Sequence, residues 1–190
     1  MSITYDDLDT ALLRDDLAYH QARVLLLVTA VSKAAGHARK LDGLTKLAKL
    51  DFLLRYPALA PTVLEGLSES DPRLNLSREE LEAPTEVEAP MVRYKYGPWD
   101  DRYYAIIGAL VGRGLLKYVK GRKGSVALSP TREGKVLAEG MAQVGDWRAL
   151  AERSEAIADA TSGMTGNTIK ELIYEKLATL MDRPHRQVIQ

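Results

Sequence analysis

Apolar residues recur at helical spacing in the first third of the chain. Over residues 6–35 they fall three and four positions apart, and Gly36 is a natural stop, which predicts a first long helix. The same spacing predicts a second helix over residues 44–55. This second helix is expected to end there because Pro57 follows, and a residue that precedes proline is disfavoured in the helical conformation.

The segment over residues 57–90 has a different character. It holds five of the eight prolines, and its eight acidic side chains outnumber its two basic ones. Ser77 stands three residues before Glu80, which is the spacing of a capping box and predicts the start of a short helix. The rest of this acidic insertion predicts a segment that is mobile or is ordered by a partner.

Strand and helix patterns alternate in the remainder. Residues 91–96 alternate apolar and basic side chains, as in a strand with one solvated face, and Gly97-Pro98 predicts a turn. A helix is predicted over residues 100–112, followed by two strands at 115–119 and 125–128 with a basic, glycine-bounded tip between them. Three further helices are predicted, over residues 131–143, 146–160 and 167–181.

The order of these elements predicts a mostly α fold with a small β-wing. Helix, helix, insertion, strand, helix, hairpin and helix is the layout of a winged-helix domain. The segments 113–118 and 124–134 resemble the third helix, the wing and the following helix of that superfamily. We therefore predict a winged-helix domain with additional N- and C-terminal helices, in which residues 1–145 include the insertion 57–90 and residues 146–190 form a helical extension.

Composition narrows the class of protein. The chain has 190 residues, with 26 Lys and Arg against 26 Asp and Glu, and it has no cysteine. Zero net charge argues against a strongly basic nucleic-acid protein, and the missing thiols exclude disulfides, thiol nucleophiles and cysteine-bound zinc. No apolar run reaches the roughly 18–20 residues of a membrane span, and the acidic start is unlike a signal peptide. We expect a cytoplasmic protein with no membrane contact.

Charge is balanced only in sum. Residues 91–135 carry ten basic and three acidic side chains, a net charge of +7, whereas residues 64–90 carry two and eight, a net charge of −6. Such blocks either face each other within the molecule or form separate surfaces, one of which meets an anionic partner. The candidate nucleic-acid contacts are the basic residues of the wing and of the preceding strand, expected to share one sheet: Arg93, Lys95, Lys117, Lys120, Arg122 and Lys123.

The helix over residues 100–112 is poorly suited to reading bases. In a DNA-binding winged helix the third helix enters the major groove, where polar side chains meet base edges. Here the helix has no Asn, Gln, Ser or Thr, and two aspartates lie near its start. One of its sides carries the small residues Ala105, Gly108 and Ala109. This side predicts close protein packing, either with a partner or with the chain's own C-terminal helices.

Aromatic and apolar residues supply two further candidate interfaces. Tyr94, Tyr96 and Trp99 lie close together in sequence, and tyrosine and tryptophan are enriched in interface cores, although a small aromatic core under the wing is the alternative. An apolar stripe in the last helix predicts a docking element or, alternatively, packing on the chain's own domain. Its members are Ile169, Leu172, Ile173 and Leu177.

No cluster of residues indicates catalysis. The three histidines are isolated in sequence, and none has an acid at metal-motif spacing. The glycine-containing segment at residues 163–168 lacks the lysine of a phosphate-binding loop. We therefore predict no catalytic residue, no cofactor site and no metal site.

Three segments together resemble one protein family. They are LDGLTKLAKLDFLLRYP at 41–57, MVRYKYGPWDDRYYAIIGALVGRGLL at 91–116 and ALSPTREGKVLAEGM at 127–141. With the acidic insertion, they are similar to the middle component of bacterial ABC-three-component systems, the Lamassu-type anti-phage defence operons. The resemblance implies a non-enzymatic subunit that joins an SMC-like coiled-coil ATPase to an effector, often a nuclease.

A second interpretation of the sequence is a stand-alone winged-helix transcription regulator or an antitoxin-like protein. Such a protein binds DNA as a dimer with two-fold symmetry and sequence specificity. The absence of base-bonding side chains in the helix over residues 100–112 argues against this alternative.

Overall fold

The computed structural model describes residues 16–87 and 89–189, and its first helix lies at the centre of the core. Helix α1 spans Leu17–Lys33 and begins at Asp16, whose Oδ1 accepts a hydrogen bond from the N–H of Ala18 at 2.8 Å. Its apolar positions, such as Val24 and Leu27, are fully buried. The part of the predicted helix that falls on residues 6–15, and the acidic start of the chain, lie outside the described residues.

The second helix has the bounds that the sequence predicts. Helix α2 spans Leu44–Arg55. The residue before it, the N-cap Gly43, has a positive φ of 92°. Residue Leu41, just before α2, pairs with Leu128 through two backbone hydrogen bonds of 2.8 and 2.9 Å. This bridge fixes the start of α2 to the later β-hairpin.

The acidic insertion packs against the domain, whereas its composition predicts a segment that is mobile or is ordered by a partner. It forms a 3-10 turn at Pro57–Leu59 and the short helices α3 (Ala60–Val63) and α4 (Arg78–Glu82), the last with the predicted capping box. Leu64 and Leu74 are fully buried. Several of its charges pair within the chain: Glu80 with Arg153 at 2.8 Å, and Arg73 with Asp159 at 2.6 Å. A few well-placed leucines therefore anchor a segment whose composition resembles that of a mobile one.

Two separate two-stranded antiparallel sheets follow. Strands β1 (Val92–Tyr94) and β2 (Gly97–Trp99) form the first, helix α5 spans Tyr103–Gly112, and strands β3 (Leu116–Lys120) and β4 (Val126–Pro130) form the second. The second hairpin pairs Lys120 with Val126 and has a 3-10 turn at its tip. The expectation that Arg93 and Lys95 share a sheet with the wing is therefore wrong, because α5 separates the two hairpins in the chain and no ladder joins them.

The C-terminal helices complete the core. They are α6 (Arg132–Met141), α7 (Gly145–Ala160), α8 (Gly166–Lys176) and α9 (Ala178–Met181). Helix α1 packs on α7, and α8 packs on α2. After α9 the chain returns to β1, where Ile189 donates a backbone hydrogen bond of 2.8 Å to Met91. The molecule is thus mostly helical with a small antiparallel β component.

The predicted docking stripe of the last helix is mostly internal. Ile169 and Ile173 are fully buried, and Leu172 and Leu177 are partly buried against the same core. The prediction that these four residues form a partner interface is corrected, because they pack on the chain's own domain. Among the described residues, no helix has both the length and the apolar character needed to cross a bilayer.

Candidate functional site

A buried ionic network joins α1, α2 and the start of α5. Its centre is Asp51, which is fully buried and accepts hydrogen bonds from Arg23 Nε at 2.7 Å, from Arg55 at 2.8 and 3.0 Å, and from the Tyr103 hydroxyl at 2.7 Å. A second carboxylate, Asp100, accepts from Arg55 at 2.7 Å. The network therefore fastens three separate elements through charge-assisted hydrogen bonds.

Further arginine contacts extend this network to the surface of α5. Arg102 donates to both carboxylate oxygens of Asp100, at 2.9 and 2.8 Å, and the Arg55 guanidinium also donates to the carbonyl of Ala89 at 3.1 Å. Arg23 and Arg102 each place a guanidinium nitrogen against a ring nitrogen of His20. Each carboxylate of the network is thus shared between two arginines.

Charge pairing fixes the protonation state of this network. Burial alone would raise the pKa of Asp51, but the charges of Arg23 and Arg55 outweigh it and hold that pKa well below its usual range. The pKa of Asp100 is lowered in the same way, against its burial, by hydrogen bonds from Arg102 and the charge of Arg55. Burial and the neighbouring Asp51 raise the pKa of Tyr103 well above its usual value. The carboxylates stay ionised and the phenol stays neutral. The network is therefore a structural joint, by which we mean that its charges hold α1, α2 and the start of α5 together and do not act as an acid–base pair.

A second buried cation of α2 is satisfied by neutral groups. Lys46 Nζ donates to the carbonyl of Met164 at 2.6 Å and lies 3.1 Å from His37 Nδ1. The other ring nitrogen of His37, Nε2, lies 2.7 Å from the carbonyl of Ala158, so it carries the proton and Nδ1 accepts from Lys46. Burial lowers the pKa of His37 and of Lys46. This cluster ties the start of α2 to the turn between α7 and α8.

Lys49, one turn further along α2, is also buried but lacks such partners. Its residue surface is 2% exposed, and it forms no hydrogen bond or ion pair with any part of the chain that the structure describes. Burial lowers its pKa to about 8, and the charge of Lys170 acts in the same direction. Its ammonium group lies beneath the turn of the first hairpin, since a Cβ atom at Gly97 would be 3.6 Å from Lys49 Nζ.

The aromatic residues predicted as an interface surround an open cleft above Lys49. This aromatic cleft has a volume of about 440 Å³. Ring centroids are 5.7 Å apart for Tyr94 and Trp99, 6.4 Å for Tyr94 and Tyr96, and 6.3 Å for Trp99 and Tyr104. Tyr96 is 48% exposed, whereas Tyr94 and Trp99 are partly buried. The rings form a wall of the cleft and also contact the core through Tyr103, 5.3 Å from Trp99.

The basic tip of the second hairpin is exposed and held in place. Asp42, before α2, accepts a hydrogen bond of 3.0 Å from the N–H of Arg122, and Lys40 donates to the carbonyl of Lys120 at 2.8 Å. The candidate nucleic-acid contacts of this hairpin, which the sequence predicts to be a wing, are all exposed: Lys117, Lys120, Arg122 and Lys123.

The two basic residues of the first hairpin are less suited to contact phosphate together with the wing. Arg93 is half-buried, with its guanidinium carbon 5.9 Å from the centre of the Tyr174 ring. Lys95 is exposed and lies over the Tyr96 ring at 5.3 Å. Arg93 therefore contacts an aromatic ring of α8, and Lys95 contacts one of the hairpin itself.

The small-residue side of α5 faces solvent. Ala105 and Gly108 are exposed and Ala109 is half-buried. A Cβ atom at Gly108 or Gly112 would meet no other atom within 4 Å. The alternative in which this side packs on the chain's own C-terminal helices is therefore wrong, and the surface is open.

The buried charges of α2 were not anticipated as a site, although the sequence contains a signal for them. Leucines and a phenylalanine occupy almost every side of this helix, and a helix that is apolar all round is buried. Charged residues within such a helix must be buried too, and buried charges require partners or ligands. This reasoning points to Lys46, Lys49, Asp51 and Arg55.

In comparisons with protein-family models, curated proteins and solved structures, no match to this chain was found. Within residues 16–87 and 89–189, no three acidic or histidine side chains come together in a way that could hold a metal ion. The resemblance to the middle component of ABC-three-component systems stays a prediction.

Proposed function

We propose that this chain is a non-catalytic winged-helix adaptor subunit. In this proposal it links an SMC-like ATPase to an effector nuclease in a bacterial anti-phage or anti-plasmid defence complex. Helix α1, the Leu41 bridge, α2, α5 and the β3–β4 hairpin follow one another in the order typical of a winged-helix domain. The bridge then corresponds to the first strand of that fold and α5 to its third helix.

The observation that carries the proposal is the solvent-facing side of α5. In a DNA-reading protein this helix presents side chains that bond base edges. Here its exposed positions include Ala105 and Gly108, which offer no hydrogen-bonding side chain and leave room for close approach of another backbone. Such a surface supports protein contact at the position where a regulator would read DNA.

The test is co-purification of the tagged chain with the products of its own operon. We expect Gly108→Glu to reduce recovery of the ATPase at least tenfold, because a long charged side chain replaces an open position. Gly140→Glu is the matched control, since Gly140 is also helical, exposed and without neighbours within 4 Å of its Cβ position. Equal recovery of partners by both variants, or recovery of the wild-type chain alone, would contradict the adaptor role.

The wing supplies a secondary role in the same proposal: contact with phosphates of DNA held by the complex. Lys120→Glu, Arg122→Glu and Lys123→Glu together are expected to weaken DNA association and to make its dependence on log salt concentration shallower by about three. Three reversals elsewhere are the control: Lys135→Glu, Arg148→Glu and Lys176→Glu, all at exposed helix positions. An identical loss in both triple variants would mean that only total charge matters.

The alternative function is a stand-alone winged-helix regulator or antitoxin-like protein. The observation that favours it is the exposed basic tip that Asp42 and Lys40 hold in a fixed position. Binding of the isolated chain to its own promoter, compared with random DNA of equal length, tests it. A preference for the promoter of 1,000-fold or so, with a two-fold symmetric footprint, would favour the regulator over the adaptor.

A further inference from the structure

The aromatic cleft beside Lys49 has the form of a small-molecule site. It lies between the start of α2, the β1–β2 hairpin and the beginning of α5, and its volume of about 440 Å³ falls within the range of ligand pockets. Its lining combines aromatic and apolar residues with the polar side chains of Thr45, Lys49, Asp101 and Arg186. An apolar wall with a limited number of polar groups is the usual composition of such sites.

Lys49 is the polar group that the fold leaves unsatisfied in this cleft. Its residue surface is 98% buried and its side chain lines the cleft, yet no carbonyl or carboxylate of the described residues bonds it. Burying an ammonium group without a partner is costly. The neighbouring Tyr174 hydroxyl is also buried without a hydrogen-bond partner. Tyr174 does not line the cleft, so it is the ammonium group of Lys49, at the wall of the cleft, that points to a ligand which supplies its partner.

The charges around the cleft select the sign of that ligand. Asp101 and Arg186, at its edge, pair with each other at 3.3 Å and largely cancel. Lys170 of α8 adds a second positive charge near Lys49 and lies over the Tyr174 ring at 5.7 Å. A group of aromatic rings alone would suit a cation. Here the interior charge is positive, so an anionic group is favoured.

The rings select the shape of the ligand. Trp99 lies 5.7 and 6.3 Å from the ring centroids of Tyr94 and Tyr104, and the Tyr96 ring, about half exposed, lies 6.4 Å from that of Tyr94. Flat apolar surfaces of this kind favour another flat ring, which stacks or meets them edge to face.

We propose that the aromatic cleft binds a planar ring that carries an anionic group, with the anion on Lys49 and the ring against Trp99 and Tyr94. The shared chemistry covers aromatic carboxylates and ring-bearing phosphates such as a nucleoside monophosphate. Gly97 is part of this design, because its positive φ of 112°, a conformation that favours glycine, lets the chain turn over the lysine.

Trp99 fluorescence provides a direct assay. The chain has two tryptophans, so Trp147→Phe leaves Trp99 as the sole indole. In this background benzoate and adenosine monophosphate are titrated beside benzyl alcohol and benzylamine, which keep a ring but are neutral or positive. We expect a saturable change with at least one anion, at least tenfold weaker binding of the neutral ring and no binding of the cation. A response to benzoate but not to the nucleotide would identify the carboxylate, and the reverse would identify the phosphate.

Variants then assign the interaction to its residues. Lys49→Met keeps the volume and removes the charge, so we expect at least a tenfold loss of affinity for the anion and no change for benzyl alcohol. Lys123→Met, at the exposed tip of the other hairpin, is the control for net charge. If Lys49→Met does not fold, Tyr96→Ala removes an exposed ring without opening the core, and a tenfold loss of binding is again expected.

Three outcomes would overturn the proposal. One is the absence of any saturable change with both anions in the wild-type chain. Another is equal binding of benzoate and benzylamine, which would show that charge plays no part. The last is anion binding that is unchanged in both Lys49→Met and Tyr96→Ala.

Discussion

Two sides of helix α2 differ in whether their buried charges have partners. On one side Asp51 and Arg55 belong to a network in which each carboxylate has at least two arginine partners. Lys49, two residues from Asp51, has none among the described residues and lies below an open cleft. A fully paired charge holds elements together, whereas an unpaired one beside a cavity is available to a ligand. The same helix therefore carries a structural joint and a candidate binding group.

The strongest test of this comparison removes the centre of the joint. Asp51→Ala would leave Arg23 and Arg55 buried without their main counter-charge, and we expect a loss of about 3–5 kcal/mol in the free energy of unfolding. Chemical denaturation followed by circular dichroism measures it. Glu82→Ala breaks the exposed Arg78 pair instead and is expected to cost less than about 1 kcal/mol. Equal, small losses in both variants would mean that the network is not a joint.

The pH dependence of the free energy of unfolding tests the other side of α2, which carries Lys49. Lys49 has a pKa of about 8 in the folded protein, against 10.5 without burial. Below pH 8 its side chain is charged in both the folded and the unfolded state, and the whole cost of burying that charge lowers the free energy of unfolding. As the pH rises from 8 to 10.5 the folded state releases its proton first, and stability should increase by about 3 kcal/mol.

The comparison with Lys49→Met isolates this effect. Lys46, Tyr56 and Tyr103 also have shifted pKa values, but they are present in both proteins and cancel in the difference. We expect Lys49→Met to be the more stable protein at pH 7 and its advantage to disappear by pH 10.5. A difference between the two proteins that does not vary with pH would show that Lys49 is not an unpaired buried cation.

A smaller effect separates a satisfied lysine from an unsatisfied one. Lys46→Met would strand the Met164 carbonyl and the acceptor nitrogen of His37, and we expect a loss of about 1–3 kcal/mol. The identical change at Lys49 strands nothing and is expected to cause no loss. Thermal unfolding of the two variants at pH 7 measures the contrast. A larger loss of stability for Lys49→Met than for Lys46→Met would mean that Lys49, and not Lys46, is the lysine with partners in the folded protein.

Much of the local structure is predictable from the sequence because its signals are local. The bounds of α2 follow from leucine spacing and Pro57, the start of α4 from the capping box at Ser77, and the β3–β4 hairpin from its glycine-bounded tip. The packing of residues 57–90 is not predictable in this way. It depends on leucines that meet distant helices and on ion pairs such as Arg73 with Asp159, which are far apart in sequence.

The candidate site likewise contains some residues whose proximity is predictable from the sequence and one whose proximity depends on tertiary packing. The aromatic residues Tyr94, Tyr96 and Trp99 are neighbours in the chain, so their clustering is visible in the sequence. Lys49 joins them only because α2 packs against β2, a contact between elements some 50 residues apart. Similarly, the predicted docking role of Ile169 and Ile173 failed because an apolar stripe does not reveal which surface covers it.

The single-residue bridge at each sheet has a consequence for assembly. Leu41 pairs with Leu128 along β4, and Val188 pairs with Val92 along β1. Each bridge occupies backbone groups that an exposed strand would otherwise offer to a strand from another chain. A strand from another chain would therefore have to displace these bridges in order to extend either sheet along β4 or β1, which disfavours β-augmentation at these two positions.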